Sequence, residues 1–491
     1  MIKVDIVAKY PANLDAIVLR VMEGKDQFPI STQAIDNQLK GAIRKEVKAL
    51  GFRGRVGDTA VLGTIQNAPA HRIILAGVGK SPVSAEQLRV AGASAIRQAA
   101  SLNLKSIATP VTIGTRLEPT VVAASLAEGS HLADYRFNKY LKNKREKTIR
   151  LVLVAPKDTR QVSRAASEAG VRARAVNLAR DLVNEPPSVM NPVQLAREAK
   201  KVALQGGLRV RVMGPAEMKR IGLNATLAVA KGSDVPAQFI RLQYIPAKAK
   251  KHVVLVGKGV TFDTGGINLK PSNVAWLEIM KIDMGGSAAV IGAMSALRDL
   301  GVTSKVTAYI PATENMINGS AYKPGDIVKT YDGTSVEVSN TDAEGRLTLA
   351  DALSYAIAKD KPDEIVDIAT LTGAVVAALG TEIGGLMSNN EALKNRIQTA
   401  AKTAGENIWE LPLHQPYNET LQTPIADVKS LGVRFGGGLV AGLFLERFVG
   451  KTPWVHLDIA GPAWSEKDAG YIRKGGTGFG VRTLLDYLRA S

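Results

Sequence analysis

The 491-residue sequence predicts an α/β fold: a smaller N-terminal α/β domain with a mixed sheet, a helical connector, and a larger C-terminal domain of three α/β/α layers. Three observations predict it. Apolar runs of strand length alternate with helix-length stretches along the whole chain. The length suffices for two or three domains with large cores. The apolar share of 45% and charged share of 22% are ordinary for a globular chain.

In the first domain, residues 1–157, strands are expected at Ala16–Val21, Thr59–Gly63, Arg72–Ala76, Ile107–Ile113 and Ile149–Val154. Helices are expected at Ala85–Leu102 and Val121–Ala127. Residues 158–184 read as one long helix with few breakers, stopped by Pro186-Pro187, and serve as the connector. The second domain, 185–491, carries expected strands at Leu208–Met213, Phe239–Tyr244, Val253–Val256, Lys305–Ile310, Glu364–Ile368 and Trp454–Ile459. Helices such as Ser287–Leu300, Leu347–Ala358 and Leu439–Phe448 fall between them, which argues for a central sheet covered on both faces.

Composition narrows the chemistry. There are no cysteines, so disulfides, thiolate metal sites and cysteine nucleophiles are excluded. Five histidines stand singly, at 71, 131, 252, 414 and 456, and no pair has H-x-x-x-H spacing. His456, in an apolar strand, reads as a satisfied core residue rather than a ligand. Any metal must therefore rest mainly on oxygen and lysine nitrogen. The N-terminus has no basic stretch followed by a long apolar run, and no window approaches a membrane span, so a cytoplasmic protein is expected. Net charge is +18, of which residues 1–150 carry +11. The run Lys139–Arg150 holds six basic residues. Such charge attracts nucleic acid without sequence preference, but only Tyr140 offers a stacking surface there, and a solvated face is the simpler account. Gly79-Lys80-Ser81 ends like a phosphate-binding loop, yet Ile74 stands where the first glycine is required.

Two polar clusters carry the chemistry. The first is Asn340-Thr341-Asp342-Ala343-Glu344-Gly345-Arg346-Leu347, with a helical apolar pattern directly after it. Read as an extended segment, it projects Asp342, Glu344 and Arg346 to one side. The second is Gly257-Lys258-Gly259-Val260-Thr261-Phe262-Asp263-Thr264-Gly265-Gly266, then Lys270 and Asp283, directly after the strand ending at Val256. Catalytic groups gather where strands of such sheets end. Four carboxylates, two lysines and an arginine result, and metal cations are the simplest means of keeping four converging acids ionised.

These segments, with Met280-Lys281-Ile282-Asp283-Met284-Gly285-Gly286, Thr370-Leu371-Thr372-Gly373 and the stretch Asn177–Pro187, resemble the leucyl aminopeptidase family of cytosol-type metallopeptidases. The resemblance covers residues 170–491 well and the first 150 loosely; the N-terminal domain is read as macro-like. It implies an aminopeptidase that uses two divalent ions, manganese or zinc first and cobalt or magnesium next. The implied ligands are Lys258, Asp263, Asp283, Asp342 and Glu344, with Lys258 as a neutral amine. It implies Lys270 as oxyanion stabiliser and Arg346 as the holder of a bicarbonate general base. Met280, Thr370, Leu371 and Gly373 would receive the first residue, preferably leucine or another apolar one. It further implies a homohexamer, a dimer of trimers, acting on peptides. A two-metal hydrolase of non-peptide substrates and a DNA-binding role through the basic N-terminal domain stand as the alternatives.

Overall fold

The computed structural model describes residues 1–24, 28–63, 68–112, 117–143, 147–157, 159–271, 276–432 and 435–491, with Trp276 as backbone only. The last residue of the expected strand Ile107–Ile113, the first of the connector and three residues of the basic run (144–146) lie outside these. The chain forms two compact units, Met1–Arg174 with Lys467–Arg473, and Ala175–Glu466 with Lys474–Ser491. The α/β class and its mixed and three-layer sheets are as the sequence predicts. The helix Thr159–Asn184 contributes residues to both units.

The first unit contains β1 (Ile2–Val7), β2 (Ala16–Met22), β3 (Thr59–Leu62), β4 (Ile73–Gly79), β5 (Ser106–Pro110) and β6 (Ile149–Val154). They form one sheet in the order β1-β6-β5-β2-β4-β3, parallel except for β3 against β4. Its central strands are apolar on both sides because both faces are covered. Helices Ala85–Ser101 and Pro119–Asp134 pack their buried stripes on one face, and Ile30–Gln38 with Ala42–Ala49 on the other. The two latter helices and the edge strand β1 are additional to the sequence-based expectation.

The second unit holds β7 (Arg209–Met213), β8 (Gln238–Tyr244), β9 (His252–Gly257), β10 (Gly259–Asp263), β11 (Lys305–Asn315), β12 (Ile327–Lys329), β13 (Ser335–Glu337), β14 (Glu364–Ala369), β15 (Gly384–Ser388), β16 (Ile408–Glu410), β17 (Val428–Lys429) and β18 (Trp454–Asp458). The main sheet runs β16-β15-β18-β14-β9-β11-β8-β7, with β10 also paired to β11. Its centre, β18-β14-β9-β11, is parallel. The C-terminal ends of these four strands therefore open on one edge, which is where ligands bind in such sheets.

Two nearly all-buried helices hold this edge. Glu344–Asp360 contributes Leu347, Leu349 and Leu353 to the core that contains Val254 and Val256. Gly285–Ala296 lies against β14, and the approach requires glycine: a Cβ on residue 286 would stand 2.0 Å from the Ile368 carbonyl oxygen. Gly286→Ala must push the helix off the strand, and overpacking of this kind typically costs about 1–3 kcal/mol. The variant should melt several degrees below wild type, and a melting curve superimposable on wild type would contradict this packing.

Candidate metal and peptide site

All eleven residues singled out from the sequence line a single cavity of about 400 Å3 at this sheet edge. Lys258 follows β9 directly, Asp263 ends β10, and Thr370 follows β14. Met280 and Asp283 lie on a 3-10 turn that leads into the helix Gly285–Ala296.

The Asp342–Arg346 segment differs from its extended expectation. Thr341–Ala343 is a 3-10 turn and Glu344 begins an α-helix. Asn340 caps the turn by accepting a hydrogen bond from Asp342 N at 2.7 Å. Residues two apart on a helix point to different sides, so Arg346 does not stand beside Glu344 as strand alternation would place it. Its Nη1 instead donates to the Ser430 carbonyl at 2.8 Å, while the residue still lines the cavity. Gly345 has its own use: a Cβ there would lie 2.7 Å from Lys258 Nζ.

Asp263, Asp342 and Glu344 each present a carboxylate oxygen, and these oxygens lie within 4.8 Å of one another. Cations thread this group. Lys258 Nζ reaches Asp283 and Glu344, each at 2.8 Å, and donates to the Thr370 carbonyl at 3.0 Å. Lys270 Nζ reaches Asp263 at 2.8 Å and Asp342 at 2.5 Å. Thr370 Oγ1 donates to Asp283 Oδ1 at 2.9 Å, and the other oxygen, Oδ2, is buried without a partner among the described residues.

The electrostatics follow from four acids and three bases crowded into one mostly buried pocket. Burial and the charge of Glu344 push the Asp263 carboxyl above its ordinary range, and burial pushes Asp283 up as well. Asp342, pressed by burial and by Asp263 and Glu344, is raised to about 7. Burial alone would also raise Glu344, but Lys258 and Lys270 hold it below the usual value. Burial opposes charge on Lys258, yet Asp283, Glu344 and Asp263 outweigh it and favour the ammonium. Lys270 is raised in the same way, against burial, chiefly by Asp263. Burial lowers Arg346 to about 10, with Glu344 and Asp458 as the opposing charges. The excess of acids in low dielectric is the condition that divalent cations relieve.

Two further residues belong to this arrangement and were not read from the sequence. Asn315, fully buried at the end of β11, donates from Nδ2 to Asp263 Oδ1 at 2.8 Å and to Glu344 Oε2 at 3.4 Å. Asp458, fully buried at the end of β18, accepts from Leu371 N at 3.1 Å and Thr372 Oγ1 at 2.8 Å. Their one signal in the sequence is a polar residue closing an apolar strand.

A parallel-sheet edge carrying clustered carboxylates and lysines is the setting of a metal-dependent enzyme, its carboxylate cluster able to bind divalent cations. The chain belongs to the cytosol aminopeptidase family: residues 177–485 match its catalytic domain and residues 18–144 its N-terminal domain. It is thus a metal-dependent exopeptidase that releases N-terminal residues. A probable cytosol aminopeptidase of Rippkaea orientalis is 40% identical over 483 residues, covering 96% of each chain. One from Roseiflexus castenholzii is 44% identical over 446 residues, covering 89% of this chain and 91% of its own. Among solved structures, the bottromycin maturation enzyme BotP in complex with Mn aligns with a TM-score of 0.87 at 34% identity, covering 97% of this chain and 99% of that one. A tomato leucine aminopeptidase mutant aligns with a TM-score of 0.89 at 32% identity, covering 100% and 96%. Among the described residues no helix is long and apolar enough to cross a membrane.

Two outcomes follow from the site. Asn315→Ala removes the donor that orients Asp263 and Glu344, and loss of such a supporting contact typically lowers metal affinity about 10- to 100-fold. Unchanged affinity in a calorimetric titration would contradict that role. Protons also compete with metal for raised carboxyls. Since Asp342 takes up its proton as pH falls through about 7, affinity should be weaker at pH 6 than at pH 8. Equal affinities at the two pH values would contradict the account.

Proposed function

We propose that this chain removes N-terminal residues from peptides in the cytosol, leucine and other apolar residues first. Two divalent ions per subunit, manganese or zinc before cobalt or magnesium, would be held by Lys258, Asp263, Asp283, Asp342 and Glu344. The observation that carries the proposal is the convergence of these five side chains at one sheet edge, with the buried Asp283 Oδ2 lacking a partner among the described residues. A donor set of carboxylates and an amine, without thiolates, suits those ions. Manganese in the BotP structure and the name of the tomato enzyme support the metal and the leucine preference. When bound, such ions activate a water and polarise the scissile carbonyl.

The chain's own residues then divide the work. Lys258 could ligate only as a neutral amine, so it would have to give up the proton that Asp283 and Glu344 favour on it. Lys270 pairs with Asp263 and Asp342, whose oxygens would also hold the ions. With those oxygens committed to cations, its ammonium would be available to stabilise a developing oxyanion. Arg346 offers a planar guanidinium for bicarbonate as general base, and its Nε is buried without a partner among the described residues. Met280, Thr370, Leu371 and Gly373 line the same cavity and would receive the first residue. We keep residues 158–184 as the connector between an N-terminal domain, 1–157, and a catalytic domain from 185. Assembly as a hexamer, a dimer of trimers, and non-specific DNA binding through the basic first domain belong to the same proposal as secondary features.

Lys258 and Lys270 separate in mutation. Lys258→Arg should lose metal, because guanidinium has no free lone pair. Lys270→Ala should retain both ions and lose about 100- to 1000-fold in kcat on a leucyl anilide. Near-native kcat in Lys270→Ala would overturn its role. For Arg346, bicarbonate-depleted wild-type enzyme should be slow and recover when bicarbonate is added, whereas Arg346→Ala should be slow and unresponsive. Equal activation of both proteins would overturn the general-base assignment.

A further inference from the structure

Behind the cavity lies a second polar group that the reaction as described leaves unused. Trp454, His456 and Asp458 alternate along β18 and so share one face of the sheet. Asp367 of β14 stands in register opposite His456, and Ala369 opposite Asp458. All four side chains are fully buried. Asp367 accepts from Trp454 Nε1 at 2.6 Å through one oxygen and meets His456 Nδ1 at 2.6 Å through the other. His456 Nε2 has no partner among the described residues. One position further along the strand face, Asp458 accepts from Leu371 N, Thr372 Oγ1 and Ala460 N, at 3.1, 2.8 and 3.1 Å.

Ionised carboxylates in a dry core persist only when paired and hydrogen-bonded. Here opposite charges alternate: Asp367, then His456, then Asp458, with Arg346 of the cavity wall beyond. Burial lowers the His456 imidazole, but Asp367 and then Asp458 outweigh it and favour the charged form. Asp458 and Glu344 are the two acids that act on Arg346. The Thr372 hydroxyl donates to Asp458 and accepts from Val375 N at 3.1 Å, so one side chain ties the carboxylate to the start of the helix Gly373–Leu379. In front, Lys258 holds the Thr370 carbonyl. The segment 370–372 is thus gripped from the metal side by Lys258 and from the core by Asp458.

We propose that Asp367, His456 and Asp458 form a buried charge ladder whose last rung, Asp458, is a positioning residue: it fixes the Leu371–Thr372 segment that lines the substrate cavity and thereby controls how the first residue of the peptide is seated. The proposal rests on the aminopeptidase reading. It assigns a function to His456, held by Asp367 and touching neither cavity nor surface: its charge offsets part of the burial that pushes the Asp458 carboxyl above its ordinary range. Asparagine at 458 retains one accepting oxygen, but its amide presents N–H groups where the Thr372 hydroxyl or the Leu371 amide needs an acceptor.

The test compares Asp458→Asn, Thr372→Val and the double variant with wild type, each as the metal-loaded enzyme. Loss of a charge-assisted bond typically weakens an interaction about 10- to 100-fold, and that range is expected in kcat/KM, mostly as a rise in KM. Metal stoichiometry should stay at the wild-type value. The double variant should lose less than the sum of the two single ones, since both variants disturb the Asp458–Thr372 contact. Thr372→Ser, which keeps the hydroxyl, should lose less than Thr372→Val. Amide hydrogen exchange gives a measure that does not require turnover: residues 370–373 should exchange faster in Asp458→Asn while residues 253–257 stay as protected as in wild type. Wild-type turnover of a leucyl anilide judges the aminopeptidase reading separately. Unchanged exchange over 370–373, additive losses in the double variant, or a lowered melting temperature with wild-type KM would each overturn the positioning role.

Discussion

Four carboxylates, Asp263, Asp283, Asp342 and Glu344, and three cationic side chains, Lys258, Lys270 and Arg346, share one pocket in which all but Asp342 and Lys270 are fully buried. Their charges do not cancel. Three of the four acids are held above their ordinary pKa, and the ion pairs of Lys258 and Lys270 span the group without neutralising it. In a low dielectric such an imbalance is costly unless further positive charge is supplied. Much else in the catalytic half of the molecule is arranged around it. Parallel strands deliver Lys258, Asp263, Asn315, Thr370 and Asp458 to one edge, and Gly286 and Gly345 permit the close approaches that hold them there.

The fold accounts for how such a site is kept rigid. Helices Gly285–Ala296 and Glu344–Asp360 are buried along most of their length, so the residues at their starts inherit the stiffness of the core. Asn315 orients two carboxylates from one side, and Asp458 fixes the loop carrying Leu371 and Thr372 from the other. Supporting contacts of this kind keep ligands in place before the cation arrives, which reduces the ordering needed on binding.

Much of this was legible in the sequence because each feature has a local signature. An apolar run closed by Gly257 gave β9, a mostly apolar segment of strand length gave β14, and helical spacing after Glu344 gave the buried helix. The site residues fall in short motifs that can each be read locally, and the parallel strands bring all eleven to one cavity. Other features have no local signature. The helices Ile30–Gln38 and Ala42–Ala49 are short, and β1 is an edge strand with a partly exposed pattern, so their periodicity is weak. Reading residues 342–346 as extended was wrong because alternation of polar residues does not distinguish a strand from a 3-10 turn entering a helix. Asn315 and Asp458 are single polar residues at strand ends. Their partners lie 52 and 86 residues away, and only the sheet register brings them together. His456 is the core residue that the sequence suggested, with Asp367 satisfying one nitrogen.

The central claim, that this charge cluster exists to hold catalytic cations, is tested most directly by titrating metal-free enzyme with manganese while recording bound metal, released protons and leucine freed from a peptide in parallel. Activity should appear as two ions bind per chain, with protons released as they do so, and Glu344→Ala should bind less metal and release no leucine. Full activity in the metal-free protein, or two tightly bound ions in an inactive Glu344→Ala variant, would contradict it.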